Sequence, residues 1–174
     1  MRNALLAALL VAGCGGNLYG YARTYSPLSE EEEFYESAQS PPYADVKRDP
    51  AAFSKVRVGW FGVVKEVRAE GGKTFVTMSH RAHQDRHLCS DLEEDTCRVT
   101  VQERSEGDFS AIVTFRAEDA SGQNRVQVNS LLRVYGSPNG DYDASGGPVL
   151  VAEYYRHWPR GQYVTTAARG SMRR

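Results

Sequence analysis

Apolar and polar side chains follow two different rhythms along the chain, and the change falls near Lys55. Beyond it the period is two: "VRVGWFGVVKEVRA" (Val56 to Ala69) sets Val56, Val58 and Trp60 against Arg57, Gly59 and Phe61. The run breaks at Glu70, Gly71 and Gly72 and resumes in "KTFVTMSHRA". Alternation broken by a Gly-rich pair predicts a long strand, a hairpin and a second strand. Gly59 and Gly62 inside the first strand predict a bend or a close backbone approach. Four more strands read as "CRVTVQER", "FSAIVTFRA", "SLLRVYGS" and "GPVLVAEYYRHW". A polar segment, Glu118 to Asn129, and the turn-rich "SPNGDYDASGGP" separate the last three. Short strands at this spacing favour an all-β barrel or sandwich over a parallel α/β sheet. A long kinked first strand, a hairpin, a third strand, an irregular connection and a closing hairpin is the order of a small OB-like Greek-key β-barrel. We expect it over residues 50–164.

Before Lys55 aliphatic residues are scarce. Gly15 to Asp49 is rich in Gly, Ser, Pro and Tyr and reads as a flexible N-terminal tether, residues 14–49. Ser29 with Glu32 forms a capping-box pattern, and Glu30 to Glu33 suit a helix N-terminus, so a short helix from Glu30 to Ala38 is expected, ended by Pro41 and Pro42. The acidic run reads as a solvated spacer, with docking on a basic partner as its alternative. At the other end, "ARGSMRR" within residues 165–174 reads as a basic, solvated tail.

The opening "MRNALLAALLVAGCGG" has yet another character. Arg2 precedes a short apolar run, Ala4 to Ala12, and small residues lead to Cys14. The run is far below the roughly 20 residues a helix needs to cross a bilayer, so residues 1–13 read as a signal peptide. "LVAGC" resembles the bacterial lipobox, in which the cysteine at the cleavage point is acylated and becomes the new N-terminus. The resemblance implies a lipidated Cys14, carrying palmitate-type chains, with the rest of the chain in the periplasm or outside the cell. Two or more acyl chains anchor stably where one binds marginally. Gly15, not Asp, follows the cysteine, which points to the outer membrane. An ordinary secreted protein is the alternative.

Composition adds limits. Net charge is -1 at pH 7, so no global basicity points to nucleic acid, and with no other long apolar run the acyl chains are the only expected membrane attachment. The length suits one domain with a sizeable core.

"DPAAFSKVRVGWFGVVKEVRAEGGKTFVTM", with the later "SLLRVYGSPNG" and "VLVAEYYRHWP", resembles the Slp-type (starvation-inducible) outer-membrane lipoproteins over roughly Ala44 to Pro159. The shared pattern is a D-P-x-x-aromatic phrase, a valine-alternating strand, a Gly hairpin, and a closing strand ending in aromatic and basic residues. The resemblance implies a non-enzymatic envelope component and carries over no catalytic residue. This chain departs from it by a His- and Cys-bearing insertion after the second strand.

That insertion, within "SHRAHQDRHLCSDLEEDTCRV" (Ser79 to Val99), has competing readings. His80, His83, His87 and Cys89 could ligate zinc or copper if an irregular loop brought them together. A strand would send His80 and His83 to opposite faces, and a helix would not place Cys89 beside His83 and His87. With Cys14 acylated, Cys89 and Cys97 are the remaining thiols, an even pair in an oxidising compartment, where disulfides persist. We therefore expect a disulfide, worth roughly 2 to 3 kcal/mol by loop entropy. The histidines would then face solvent and titrate near pH 6 to 7. Free thiols are the third reading.

Two other clusters bear chemistry. "DYDASGG" (Asp141, Asp143, Ser145, Gly146) matches the opening of a calcium loop, but Ala152 stands where an acid is needed and Glu153 comes one residue late, so a polar hairpin turn is expected, with weak calcium binding as its alternative. Trp60, Tyr135, Tyr154, Tyr155, Trp158 and Tyr163 form an aromatic set to be read with Arg133, Arg156, His157 and Arg160. OB barrels use such faces to stack ligands. Trp60 and the run from Tyr154 through Tyr155, Arg156, His157 and Trp158 to Arg160 are the candidate binding residues, and core packing is the alternative. No nucleophile elbow, Ser–His pairing, phosphate loop or paired strand carboxylates is visible. The expected role is binding or scaffolding with an envelope protein partner and no cofactor. A metal-binding protein using the His and Cys loop, and a glycan or small-ligand binder using the C-terminal aromatics, are the rivals.

Overall fold

The computed structural model describes residues 20–91 and 93–172. Its elements in chain order are β1 (Gly20–Thr24), α1 (Glu32–Ser37), α2 (Tyr43–Arg48), β2 (Val58–Glu70), β3 (Lys73–His83), β4 (Arg86–Cys89), β5 (Val99–Val113), α3 (Ala117–Ala120), β6 (Leu131–Tyr142), β7 (Pro148–Trp158) and β8 (Tyr163–Thr165). β2 pairs antiparallel with β3 and with β6, β3 with β5, and β6 with β7. A parallel pairing of β5 with β7 closes the ring. This is the expected all-β, OB-like barrel.

Period two explains the interior. Val58, Trp60 and Val64 point inward and meet Val76, Met78, Phe109, Leu132, Val134, Leu150 and Tyr155 in one buried cluster. Gly62 shares that inward parity. A Cβ there would lie 2.7 Å from Met78 Cβ and 2.8 Å from the Phe109 ring, so the close approach expected at this glycine comes from side chains.

β5 is one strand of 15 residues where the sequence reads as two. The polar "ERSEGD" interrupts the apolar pattern, and pairing with β3 continues through it with two register shifts: Arg81 stands opposite Ser105 and His80 opposite Gly107. Gly107, at φ 149°, lets the strand pass Tyr43, whose hydroxyl donates to the Asp108 carbonyl at 2.5 Å.

The largest departure from expectation lies before the barrel. Residues 22–49, read as part of a solvated tether, form a strap on its surface. Val46 and Tyr43 belong to the main core, so the packed unit begins well before residue 50. Within the acidic run Glu31 has no exposed surface while Glu30, Glu32 and Glu33 are exposed or nearly so. The helix is Glu32–Ser37, and no side chain caps it. The Ser29 and Glu32 capping box does not form, because Glu31 takes the local role by accepting from the Leu28 N–H at 3.0 Å. The basic tail is also tied down in part. β8 adds in parallel to Val99–Val101, and Met172 is buried. Among the described residues no helix is long and apolar enough to cross a membrane.

Candidate functional site

Cys89 and Cys97 form the expected disulfide, with sulfurs 2.12 Å apart. It closes a small acidic loop whose Thr96 Oγ1 donates to Asp91 Oδ1 at 3.0 Å. β4, ending at Cys89, pairs with β1 so that Gly20 stands opposite Cys89. The Leu88 N–H donates to Thr100 Oγ1 at 2.9 Å and the Arg98 N–H to the Leu88 carbonyl at 2.9 Å. The staple therefore fastens a two-stranded ribbon to β5. Cys14 lies outside the described residues.

The histidines do not share one site. His80 sits at the barrel mouth, 4.9 Å from both the Tyr43 and Trp60 rings between centroids. His83 lies outside the barrel, stacked on Phe61 at 4.7 Å, and its ring is 6.2 Å from that of His87. Cys89 is held in the disulfide. Among the described residues no three His, Cys, Asp or Glu side chains converge as a metal site. Nor do the histidines face solvent as expected. Burial pushes His80 down to about 4, and burial with the nearby Arg133 and His87 pushes His83 to about 4. His87 is lowered by burial, then by Arg23 and Arg156. Burial favours neutral imidazole, and at His80 it outweighs Glu106, whose Oε2 lies 3.1 Å from Nδ1.

The C-terminal aromatic run splits by parity. Tyr155 points into the main core, and Trp158 joins Phe61, Val99, Val101 and Leu131 in a second cluster outside it. Tyr154 stacks on Phe34 of the strap at 5.0 Å. Arg160 is exposed at the turn after β7. The candidate binding residues thus do not form one continuous exposed face.

The strap covers the outer faces of β2 and β6 and creates a groove of about 750 Å³. Tyr25, Tyr35 and Pro41 to Tyr43 form one wall, and Gly59 to Phe61, His80 to His83 and Arg133 form the floor. The Arg133 guanidinium lies 4.5 Å from the Tyr25 ring centre, 4.8 Å from Phe61, and 4.9 Å from Tyr35 and Tyr135. Its Nε and Nη1 are buried and meet no hydrogen-bond acceptor among the described residues. Four π faces hold the cation instead.

Glu31 locks the strap to this face. It accepts from Tyr135 Oη at 2.6 Å, from Arg156 Nη1 at 2.9 Å and from the Tyr25 hydroxyl. Burial pushes its pKa up, but the tyrosine hydroxyls, the Leu28 N–H and Arg156 outweigh burial and hold it below the ordinary carboxylate value. Burial and the bond to Glu31 push Tyr25 up to about 12. Arg133 and Tyr135 could be marked from sequence as part of an aromatic and basic set. Glu31 could not be told from its three acidic neighbours.

A Ser–His pairing absent from the sequence reading is present in the fold. Asp119 Oδ1 lies 2.6 Å from His157 Nδ1, and His157 Nε2 lies 3.1 Å from Ser130 Oγ. The contacts run in the order of a hydrolytic triad. Two facts describe this buried plug. Ser130 has no exposed surface, and its Oγ already accepts from the Gln127 N–H at 3.2 Å. Asp119 also accepts from Tyr155 Oη at 2.7 Å and Arg116 Nε at 3.1 Å. Burial pushes Asp119 up, and these donors with His157 bring it net down. The network ties α3 to β7 and to Ser130 just before β6, and no linear motif signals it because its members are scattered from Arg116 to His157.

In "DYDASGG", Asp143 Oδ1 accepts from the N–H groups of Ser145 and Gly147, both at 2.9 Å, and from Ser145 Oγ at 2.6 Å. Its other oxygen accepts from Ser110 Oγ at 2.6 Å. The carboxylate is occupied in holding its own hairpin. Comparison with protein-family models, with curated proteins and with solved structures finds no match.

Proposed function

We propose that this protein is an outer-membrane lipoprotein, anchored through acyl chains on Cys14 and facing the periplasm, that acts as a non-enzymatic binding or scaffolding component of the cell envelope. The lipobox-like "LVAGC" supports the anchor, and the Slp-type pattern supports the envelope role. The observation that carries the binding role is the strap groove: rings and a caged guanidinium line a concave surface of a size that suits a side chain or a short peptide segment. Such a surface binds by stacking and shape, with an envelope protein as the partner and no part for nucleic acid. Two measurements test the reading. A clickable palmitate analogue should label the wild-type protein and not Cys14→Ser, which should leave the membrane fraction. A photo-crosslinking residue replacing Glu36 on the groove rim should give one discrete adduct in cells, lost with Tyr35→Ala. The same residue replacing Asp141 should not give it. Equal adducts from both positions would sink the groove as the binding surface.

A further inference from the structure

Taking the lipid anchor at Cys14 as its premise, we infer that the barrel is held against the bilayer surface by the end that carries the β1–β4 ribbon and the disulfide loop. The opposite end, with the hairpins after β2 and β6, faces the periplasm. A tether running to residue 49 would let the domain range over roughly 100 Å or more. The fold removes most of that reach. From Gly20 the chain is already paired to β4, and β4 is bonded to β5 through Leu88. Only residues 15–19 separate the anchor from this fixed point, a leash of roughly 20 Å fully extended.

Direction follows from topology. Gly20 pairs with Cys89 at the stapled loop, beside the end of β3 and the start of β5, where His83 stands opposite Val101. β3 runs from Lys73 to His83, about 33 Å at the usual rise, so the Glu70–Lys73 turn lies at the far end. The turn between Tyr142 and Pro148 lies with it, since residues of both hairpins line one cleft. Thr24, Tyr25, His83 and Asp85 put the strap groove at the near end, so its occupant must come within reach of the membrane-proximal layer.

Charge at this end is mixed: exposed Arg86 and Arg98 stand beside the stapled loop, and Met172 of the basic C-terminal segment meets Ser90 at 3.6 Å. The stapled loop carries Asp91, Glu93, Glu94 and Asp95, and Glu94 pairs with Arg23 at 3.3 Å. The acidic loop works against anionic headgroups and the arginines work toward them, so the leash is the constraint that salt does not remove. The leash-set orientation should therefore persist at high salt, whereas any part owed to electrostatic docking would weaken as the Debye length shortens from about 8 to 10 Å near physiological salt.

The test uses the full acylated protein in phosphatidylethanolamine and phosphatidylglycerol vesicles that carry a headgroup acceptor dye. A donor dye on a clickable residue replaces Glu93 at the near end or Glu70 at the far end, both exposed. Energy transfer should be several-fold stronger from position 93, at low and at high salt. A spacer of about 20 Gly/Ser residues after Gly16, spanning about 25 Å on average, should erase most of the difference. Equal transfer from both positions in acylated protein without the spacer would overturn the inference while leaving the anchor intact. Intact mass without acyl chains on Cys14 would remove the anchor itself, so the two failures are distinguishable.

Discussion

Replacing Glu31 with alanine removes the one buried acceptor that four donors share: the Leu28 N–H, Tyr25, Tyr135 and Arg156. Glu31 has no exposed side-chain surface, and that of Arg156 is 20% exposed. Breaking a buried pair by deleting one partner costs about 3 to 5 kcal/mol. Arg156 can turn toward water, which reduces the cost, while the fully buried Tyr135 hydroxyl is left without its acceptor, about 1 to 3 kcal/mol. About 3 kcal/mol is the net expectation, or a fall in Tm of about 6 to 12 °C for a chain of this size. Urea unfolding measures the loss, and amide exchange shows where it falls: protection of residues 25–38 should drop first, ahead of β2 and β6. Acid dependence gives a second readout. The folded-state pKa is lowered, so as pH falls the unfolded chain takes up its proton first. The stabilisation is present above the ordinary value near 4.5 and drains away as pH falls below it through the folded value. Glu31→Gln should flatten that portion of the curve. A loss under about 1 kcal/mol for Glu31→Ala, with protection unchanged, would refute the claim that this carboxylate locks the strap.

Other consequences are open to measurement. Cys89→Ser with Cys97→Ser should lower stability by roughly 2 to 3 kcal/mol, seen in denaturant unfolding, and mass spectrometry should show the wild-type domain oxidised. His80 and His83 are held neutral, at about 4 each. The unfolded chain therefore binds more protons between about pH 6.5 and 4, and stability should fall as pH falls through that window. His83→Phe, which keeps the stack on Phe61, should flatten part of the fall, and an unchanged slope would contradict the burial argument. Ser130→Ala should cost about 1 to 3 kcal/mol by leaving His157 Nε2 and the Gln127 N–H unpaired. A fluorophosphonate probe should leave Ser130 unlabelled in the folded protein, and stoichiometric labelling there would turn the plug into an active site.

The barrel was legible because its signal is local. Val58, Trp60 and Val64 alternate within one strand, and Gly71 with Gly72, both at positive φ, mark the turn that follows. Tyr155 and Trp158 fall on opposite faces, as period two requires of residues three apart. β5 escaped because its middle is polar on both faces while its backbone continues pairing with β3, and pairing leaves no mark on side-chain pattern. The disulfide could be read because the expected compartment, with Cys14 taken as acylated, left Cys89 one partner.

The strap was illegible for a deeper reason. Its composition matches that of a solvated spacer, and what packs it is one glutamate of four together with rings that meet β6 and β7 only after the barrel has closed. Glu31 and Tyr135 are 104 residues apart, and Arg156 is farther still. Burial of that carboxylate depends on donors that no local window contains. The same strap shortens the leash from Cys14 to β4 and walls the groove around Arg133. The segment that reads as a passive tether is thus the element on which both the proposed binding surface and the inferred orientation depend. Undocking it by Glu31→Ala should therefore open the groove, and it lengthens the leash only where β1 also leaves β4. In the acylated protein, energy transfer from position 93 should fall toward that from position 70 only to the extent that β1 leaves β4, which separates the two contributions.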